Sequence, residues 1–322
     1  MINKPSTEER FWAVLAHLSA LAMGIGIPLP IVGWSQNRRK SNYASFQCLQ
    51  ALGYQILGYT IWILATLVVV IISVVATISD LVNATNLEEE TMRAATAHTG
   101  FSFVLIGIYF ILPIIAAIAC ALGMDFRYPL MGNRLARYLG YDLARSSEEQ
   151  TWLVEEHEDR WVASMGHFAV IIILWGTLAP IAAWMIDGKR SPFLKFQSVQ
   201  TVVYQAGTLL LYFAAGFFYV FGLIVFVMTI GFEGAVALDS SGGMVGAVVF
   251  LVSLLIAMLI VLAVPLLHIL GQWAGYRVLK GDEYRYPIVG KLVEKRVMKS
   301  NSLAGEQDPK STGAGLPDSK NQ

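Results

Sequence analysis

The chain has 322 residues, of which 56% are hydrophobic and 14% are charged, against about 25% charged residues in an ordinary soluble domain. Its 23 basic and 23 acidic side chains give a net charge of zero, so the bulk charge argues against a polyanionic partner such as nucleic acid. Two cysteines, Cys48 and Cys120, are too few for a disulfide framework, and we expect both to be small buried residues. The composition predicts an integral membrane protein in contact with the lipid bilayer.

Six long intervals without a charged residue follow one another along the chain, three in each half. They are residues 11–37, 41–79, 94–124, 161–186, 196–232 and 240–276. Each is longer than the about 20 residues that a helix needs to cross a bilayer. After them, residues 300–322 are rich in Gly, Ser, Pro and charged residues, which predicts a disordered tail. The pattern predicts an all-α polytopic membrane protein.

The two halves of the chain are copies of each other. An ungapped alignment of residue 10 with residue 160 matches identical residues at many positions between residues 10 and 55. The pairs include His17/His167, Pro30/Pro180, Trp34/Trp184, Gln47/Gln197, Gln50/Gln200, Tyr54/Tyr204 and Gln55/Gln205. Further on, GMDFRYPLMG (123–132) matches GDEYRYPIVG (281–290). Such similarity indicates a tandem duplication.

The duplication predicts how the chain divides into domains. We expect a first membrane repeat over 1–140 and an acidic cytoplasmic linker over 141–157. A second membrane repeat over 158–299 precedes the disordered tail of 300–322. The acidic cluster of Glu155, Glu156, Glu158 and Asp159 sits in the linker before the second copy, and we interpret it as a solvated face.

The first apolar interval of each copy is interrupted by helix-breaking residues. In the first copy the sequence GIGIPLPIVG (24–33) contains three glycines and two prolines. We predict a re-entrant helical hairpin, which enters and leaves the membrane on one side, followed by two long transmembrane helices. Broken backbone at membrane depth is tolerated where protein or water covers it. A single tilted span is the alternative.

The distribution of basic residues predicts the orientation. Nearly all of the 23 Lys and Arg residues lie outside the loops 80–93 and 233–239, which together hold only Arg93. The positive-inside rule therefore places the other loops and both termini in the cytoplasm of a multi-pass cell-membrane protein. Because both copies have the same charge bias, each must cross the membrane an even number of times. The two repeats are then parallel.

The second apolar interval of each copy begins with polar side chains on one helical face, at the spacing i, i+3 and i+7. The residues are Gln47, Gln50 and Tyr54 in the first copy and Gln197, Gln200 and Tyr204 in the second. An uncharged helix over 41–79 would reach about 58 Å, whereas the hydrocarbon core is about 30 Å thick. Its first turns therefore lie outside the span. We expect the amides of this stripe to hydrogen-bond the broken backbone of the hairpin.

His17 and His167 occupy equivalent positions in the first interval of each copy. One hypothesis makes them a pair of ligands for haem or a metal ion. The other is a structural histidine that hydrogen-bonds a neighbouring helix. Neither segment contains a carboxylate or a thiol to complete a metal site. We therefore predict the structural role and no cofactor.

Each copy ends with an Arg-Tyr-Pro sequence directly after its last apolar helix. Arg127 and Tyr128 stand in the first copy, and Arg285 and Tyr286 in the second. Basic and aromatic residues at helix ends commonly anchor a protein at the membrane surface, so we predict anchors in an aromatic belt. The alternative is that the arginines bind anionic lipid headgroups or a membrane protein partner.

These motifs together resemble a known family. Three features carry the resemblance. Arg10 precedes His17 and the sequence HLSAL by seven residues, FQCLQA (46–51) stands at the start of a helix, and GDEYRYP (281–287) closes the second copy. They resemble small bacterial membrane domains of unknown function, often described as similar to the Tic-twenty component of the chloroplast protein-import machinery. Ordinary members carry one copy. The resemblance implies no established bacterial activity.

The sequence contains none of the common catalytic or nucleotide-binding motifs, and we predict that the protein is not an enzyme. The leading hypothesis is a membrane scaffold or protein-handling component. A transporter or channel for a neutral or amphiphilic solute, lined by the glutamine stripes, is the alternative. A haem- or metal-binding membrane protein is the third hypothesis.

Overall fold

The computed structural model describes residues 4–83, 87–141, 152–233 and 241–296, and the regular structure within these ranges is helical. The first repeat contains α1 (Thr7–Leu18), α2 (Pro28–Asn37), α3 (Asn42–Asn83), α4 (Leu87–Ala121) and α5 (Gly132–Leu139). The second contains α6 (Glu155–Phe168), α7 (Leu178–Asp187), α8 (Pro192–Glu233) and α9 (Ser241–Leu279), followed by a helix over 289–296. The predicted tail and residues 142–151 of the predicted linker lie outside the described residues.

Four helices are long and apolar enough to cross a membrane: α3, α4, α8 and α9. The qualifying stretches are Asn42–Ala76, Thr91–Ala121, Pro192–Thr229 and Gly242–Leu279. Many of their large apolar side chains are exposed, as expected for helices that face lipid. Two long helices in each repeat return the chain to the side on which it entered. The prediction of an all-α polytopic protein built from two parallel repeats is therefore confirmed.

The first apolar segment of each repeat is a pair of short helices. With 12 residues in α1 and 10 in α2, neither helix can span a bilayer. A 3₁₀ segment over Ser19–Gly26 joins them, and Met23 within it has a φ of 51°. Gly26 is required there because a Cβ atom would lie 1.8 Å from the carbonyl oxygen of Ser19. The broken first segment is confirmed, and the single tilted span is wrong.

The second repeat breaks at the matching place. Helix α6 ends at Phe168 and α7 begins at Leu178. A Cβ atom at Gly176 would lie 1.9 Å from the carbonyl oxygen of Ala169, which is the contact that Gly26 makes with Ser19 in the first repeat. The two copies therefore close their hairpins with the same glycine contact.

The two repeats differ in how their spanning helices pack. Helices α8 and α9 contact each other along far more of their length than α3 and α4 do. Gly222 allows this close approach, because a Cβ atom at that position would lie 2.6 Å from the Cβ atom of Ser253. Further along the same two helices, the rings of Phe226 and Phe250 stack with their centroids 5.3 Å apart. In the alignment of the two repeats, Ile72 of α3 corresponds to Gly222 of α8. The first repeat therefore lacks the glycine that allows the close approach of α8 and α9.

One buried apolar cluster joins the repeats, with members from both. Helix α2 packs on α7, and α3 packs on α6. The ring of Trp161 lies against Gly53, where a Cβ atom would approach its Cζ2 atom to 2.4 Å, and its indole N–H donates to the carbonyl oxygen of Leu49 at 2.9 Å. Cys48 and Cys120 are both free and buried, as predicted.

Candidate functional site

The predicted polar residues of the first repeat meet in one buried network. His17 of α1 lies 3.0 Å through Nε2 from Oε1 of Gln47 and 3.0 Å through Nδ1 from the hydroxyl of Tyr128. Gln50, one turn further along α3, donates from its amide to Oε1 of Gln47 at 3.2 Å and to the carbonyl of Phe126 at 3.0 Å. Its own oxygen accepts from the backbone N–H of Tyr128 at 3.0 Å. The network therefore ties the hairpin to the Arg-Tyr-Pro segment.

The surroundings of Gln47 determine where the protons lie. Its amide nitrogen faces two acceptors, the carboxylate of Asp125 at 3.1 Å and the carbonyl of Phe126 at 3.0 Å. Its oxygen must then face His17, which donates from Nε2–H, and Nδ1 accepts from the hydroxyl of Tyr128. Burial lowers the pKa of His17 to about 4, because a charged ring is disfavoured away from water. The imidazole is therefore neutral at pH 7.

The second repeat builds the same network. His167 lies 3.0 Å through Nε2 from Oε1 of Gln197 and 3.0 Å through Nδ1 from the hydroxyl of Tyr286. The amides of Gln197 and Gln200 donate to the carbonyl of Tyr284 at 3.2 and 2.8 Å. Burial lowers the pKa of His167 to about 4 as well. The duplicated pattern is thus a duplicated hydrogen-bond network.

Tyrosine pairs extend each network into the spanning helices. Tyr54 stacks on Tyr128 with ring centroids 4.1 Å apart, and its hydroxyl donates to the carbonyl of Tyr109 at 2.9 Å. In the second repeat Tyr204 stacks on Tyr286 at 3.9 Å and donates to the carbonyl of Leu267 at 2.7 Å. The hydroxyls therefore fix α4 and α9 at matching places.

The glutamines divide into two groups. Gln55 donates to the carbonyl of Ala16 at 3.3 Å and to the hydroxyl of Ser19 at 2.8 Å, and Gln205 donates to the carbonyl of Gly166 at 2.9 Å. These two amides do hydrogen-bond the broken hairpin. The stripe residues Gln47, Gln50, Gln197 and Gln200 bind the Arg-Tyr-Pro segment instead, so the predicted partner was wrong for them.

The Arg-Tyr-Pro residues do not form the predicted aromatic belt. Tyr128 is 3% exposed and Tyr286 is 1% exposed, because both rings fill the networks described above. Arg127 lies 3.1 Å from the carboxylate of Asp125, which also accepts from Gln47. Arg285 pairs with Glu294 at 3.1 Å and is half exposed. The two arginines therefore have different surroundings, and Arg285 is the one that faces outward.

A buried ion cluster lies between the repeats. The guanidinium of Arg38 is 3.3 Å from the carboxylate of Glu158 and 2.8 Å from that of Asp159, and the indole N–H of Trp34 donates to Glu158 at 2.9 Å. Burial raises the pKa of Glu158 to about 7 and also raises that of Asp159. The predicted solvated face is wrong for these two acids. The repeat alignment does not predict this ion cluster, because Arg38 aligns with Gly188, which has no charge.

The networks do not suit ligand binding through the histidines. Both ring nitrogens of His17 and of His167 take part in hydrogen bonds within their own repeat. Across the described ranges, no group of three or more His, Cys, Asp or Glu side chains is placed to hold a metal ion. The residues therefore do not fit the haem or metal hypothesis. Their chemistry is that of fixing backbone segments.

Comparison with known proteins assigns the family. A family model described as the magnetosome magnetite crystal formation protein family, MamF/MmsF, matches residues 8–135 and again residues 158–293. No curated protein and no solved structure matches the chain. The resemblance to the Tic-twenty component is not among these findings and stays a prediction. The two matches coincide with the two repeats and cover most of the chain, which therefore belongs to the MamF/MmsF family and carries its domain twice.

Proposed function

We propose that this protein is a non-enzymatic membrane scaffold, whose paired repeats provide a fixed platform for other components of its membrane. The observation that carries the proposal is the use made of the buried polar side chains. Gln47, Gln50, Gln197 and Gln200 are all 0% exposed. Their amides bind backbone segments of their own repeat. A rigid body of this kind suits a role in positioning.

The same observation speaks against a solute path. A transporter for a neutral or amphiphilic solute would present its polar side chains to a cavity. The glutamine stripes instead lie inside each repeat, and apolar side chains such as Trp34, Leu52 and Met165 fill the contact between the repeats. We therefore place transport second.

The family description supplies the setting for a scaffold. The family is described by magnetite crystal formation. We infer that a platform in the membrane serves this process by holding other components in place. Protein handling of the Tic-twenty kind is a second form that such a platform could take.

The partners of the platform follow from its exposed charges. Arg285, Lys291 and Lys295 are exposed beyond the end of α9, where basic side chains attract anionic lipid headgroups. We propose that this basic surface faces the cytoplasm and contacts such headgroups or an acidic segment of a membrane protein partner.

Two measurements on the purified full-length chain separate scaffold from transporter. The first measurement uses liposomes loaded with glycerol and a neutral fluorescent dye. We expect both solutes to leave liposomes that contain the protein no faster than they leave protein-free liposomes. In cells, loss of the chain should displace membrane proteins that cross-link to it. Glycerol or dye release that rises with protein content, and falls in Gln200→Leu but not in Lys291→Gln, would overturn the scaffold in favour of transport.

A further inference from the structure

The spanning helices of the first repeat are packed along only one half of their length. In α3, most residues from Tyr43 to Thr60 are buried, whereas every residue from 61 to 76 is partly or fully exposed. In α4, no residue from 91 to 108 is buried, and burial begins at Tyr109. The ring of Tyr109 lies against Gly58, where a Cβ atom would be 3.5 Å from it. Burial therefore ends at the same level in both helices.

The short hairpin helices cover the buried half. Gln55 of α3 donates to the hydroxyl of Ser19, at the end of α1, at 2.8 Å. At the other end of α1, Arg10 donates to the carbonyl oxygen of Ala121, the last residue of α4, at 3.2 Å. In the second repeat, Gln272 near the end of α9 donates to the carbonyl oxygen of Phe168 at 2.9 Å. Both hairpins thus lie beside the same half of the spanning helices, which we call the hairpin side.

The two hairpins also contact each other. A Cβ atom at Gly24, in the turn of the first hairpin, would lie 2.3 Å from the Cβ atom of Trp175 in the turn of the second. Helix α2 packs on α7. Trp161 of α6 donates to the carbonyl oxygen of Leu49 at 2.9 Å. The repeats are therefore joined on the hairpin side.

The turns of the hairpins expose large apolar side chains, each between 38% and 59% exposed. They are Leu21, Met23, Ile25, Ile173, Leu174 and Trp175. No charged residue occurs from 11 to 37 or from 161 to 186, so these turns suit hydrocarbon rather than water. The helices α1 and α2 are about 15–18 Å long, whereas the hydrocarbon core is about 30 Å thick. The turns therefore end near the middle of the bilayer.

The two halves of the membrane then hold different amounts of protein. On the hairpin side, the described part of the chain places eight helical segments, four from the hairpins and four from the spanning helices. The opposite half holds only the four spanning helices, with α8 and α9 in contact at Gly222 and Ser253. Because a helix is about 10–12 Å in diameter, four additional helices widen one leaflet by roughly 300–450 Å².

A protein that is wider in one leaflet fits a curved membrane better than a flat one. The leaflet on the convex face of a curved bilayer has the larger area, and helices inserted into one leaflet respond to curvature. We propose that this chain is a membrane wedge, which stabilises highly curved membrane with the hairpin side on the convex face. The basic loops predict that this face is the cytoplasmic one. The inference goes beyond the scaffold function, since a scaffold can work in a flat membrane.

A wedge bends a membrane only if it resists deformation. The wide half of this chain contains the two hydrogen-bond networks and the ion cluster between the repeats. The guanidinium of Arg38 is 3.3 Å from the carboxylate of Glu158, which also accepts from Trp34 at 2.9 Å. Flattening the chain would separate these buried groups from their partners, which is costly. The lipid therefore adapts to the protein.

The test uses the orientation of the chain in liposomes of different diameter. The full-length chain, in a Cys48→Ala, Cys120→Ala background, carries either Lys40→Cys on the hairpin side or Met244→Cys near the opposite end of the spanning helices. Both positions are exposed. Each protein is reconstituted by slow removal of detergent, and the liposomes of one preparation are separated by size. An impermeant thiol reagent then measures the outward-facing fraction, with labelling in detergent as the total.

Small liposomes should select one orientation. We expect the ratio of outward-facing to inward-facing Lys40→Cys chains to be several-fold higher in the smallest liposomes than in the largest. The ratio for Met244→Cys should change in the opposite direction. A ratio that does not depend on diameter overturns the proposal, as does enrichment of outward-facing Met244→Cys in the smallest liposomes. Either result leaves the scaffold function standing, because displacement of cross-linked partners tests that function separately.

The depth of the hairpin provides the second measurement. A spin label on Ile25→Cys, in the turn of the first hairpin, should be accessible to dissolved oxygen and shielded from an aqueous relaxation agent. Lys40→Cys, beyond the outer end of the same hairpin, is the matched control and should show the reverse. If the aqueous agent reaches both labels equally, the hairpin lies outside the bilayer and the wedge is wrong.

Discussion

The hydroxyl of Tyr54 donates a hydrogen bond of 2.9 Å to the carbonyl oxygen of Tyr109, four residues before Pro113 in α4. In a regular helix that carbonyl would accept from the N–H of residue 113, which proline lacks. The tyrosine of α3 therefore satisfies a carbonyl that the proline of α4 leaves free. The equivalent carbonyl, of Leu267, precedes Gly271, which has an N–H.

This difference predicts unequal effects of two matched substitutions. Tyr54→Phe keeps the ring that stacks on Tyr128 but leaves the carbonyl of Tyr109 unsatisfied, at a cost of about 1–3 kcal/mol. Tyr204→Phe should cost less, because the helix can still satisfy Leu267. Thermal unfolding of both variants in detergent checks the order of the midpoints. Equal midpoints would contradict this account of Pro113.

The buried histidines predict a dependence of stability on pH. Their pKa is about 4 in the folded protein and 6.5 in the unfolded chain, so the unfolded chain binds more protons between these values. The free energy of unfolding should therefore fall as the pH is lowered from about 6.5 towards 4, by roughly 3 kcal/mol for each histidine.

Substitution separates this contribution from that of other groups. Between pH 7 and pH 5, the loss in thermal midpoint should be smaller in His17→Asn and in His167→Asn than in the native chain, and smallest in the double variant. The midpoints at pH 7 serve as the reference for each protein. A double variant with the native pH profile would show that the histidines do not cause the dependence.

The ion cluster between the repeats predicts a pH effect of opposite sign. Burial raises the pKa of Glu158 from 4.5 to about 7, so the folded protein binds the extra proton between these values. The free energy of unfolding should therefore fall as the pH rises from about 4.5 to 7. Glu158→Gln, which can still accept from Trp34, should remove this contribution. The measurement compares the thermal unfolding midpoints of the native chain and of Glu158→Gln from pH 5 to pH 8.

Arg38 should be the most sensitive residue of the same cluster. Arg38→Met leaves the carboxylates of Glu158 and Asp159 buried without their cation, and breaking a buried pair in this way costs about 3–5 kcal/mol. Arg277→Met provides a control, because Arg277 and its partner Asp282 are both about half exposed and both lie in the second repeat. We expect a large fall in midpoint for the first variant and little change for the second.

The parallel arrangement predicts a labelling pattern in intact cells. Single cysteines at Lys40 and Lys189, introduced after Cys48→Ala and Cys120→Ala, should both be protected from an impermeant thiol reagent. Cysteines at Glu88 and Met244, near the opposite ends of the spanning helices, should both react. Labelling of only one of the two lysine positions would mean that the repeats are inverted and that the charge bias misled the orientation.

The sequence by itself determined the architecture. Long uncharged intervals, glycines and prolines in the first segment and an ungapped duplication are local or periodic signals, and a bilayer converts them directly into spans and hairpins. Spacing also placed Gln47, Gln50 and Tyr54 on one helical face.

Only the tertiary structure decided which partners these side chains take. Tyr128 has the sequence context of a lipid-facing anchor, yet its hydroxyl is needed by a histidine 111 residues earlier in the chain. Glu158 lies in an acidic run that predicts exposure, yet Arg38 and Trp34 bury it. Pairings across such distances follow from the shape of packed surfaces, which no local pattern encodes. The unequal burial of Trp34 and Trp184 has the same origin, because two copies of one domain can bury different faces.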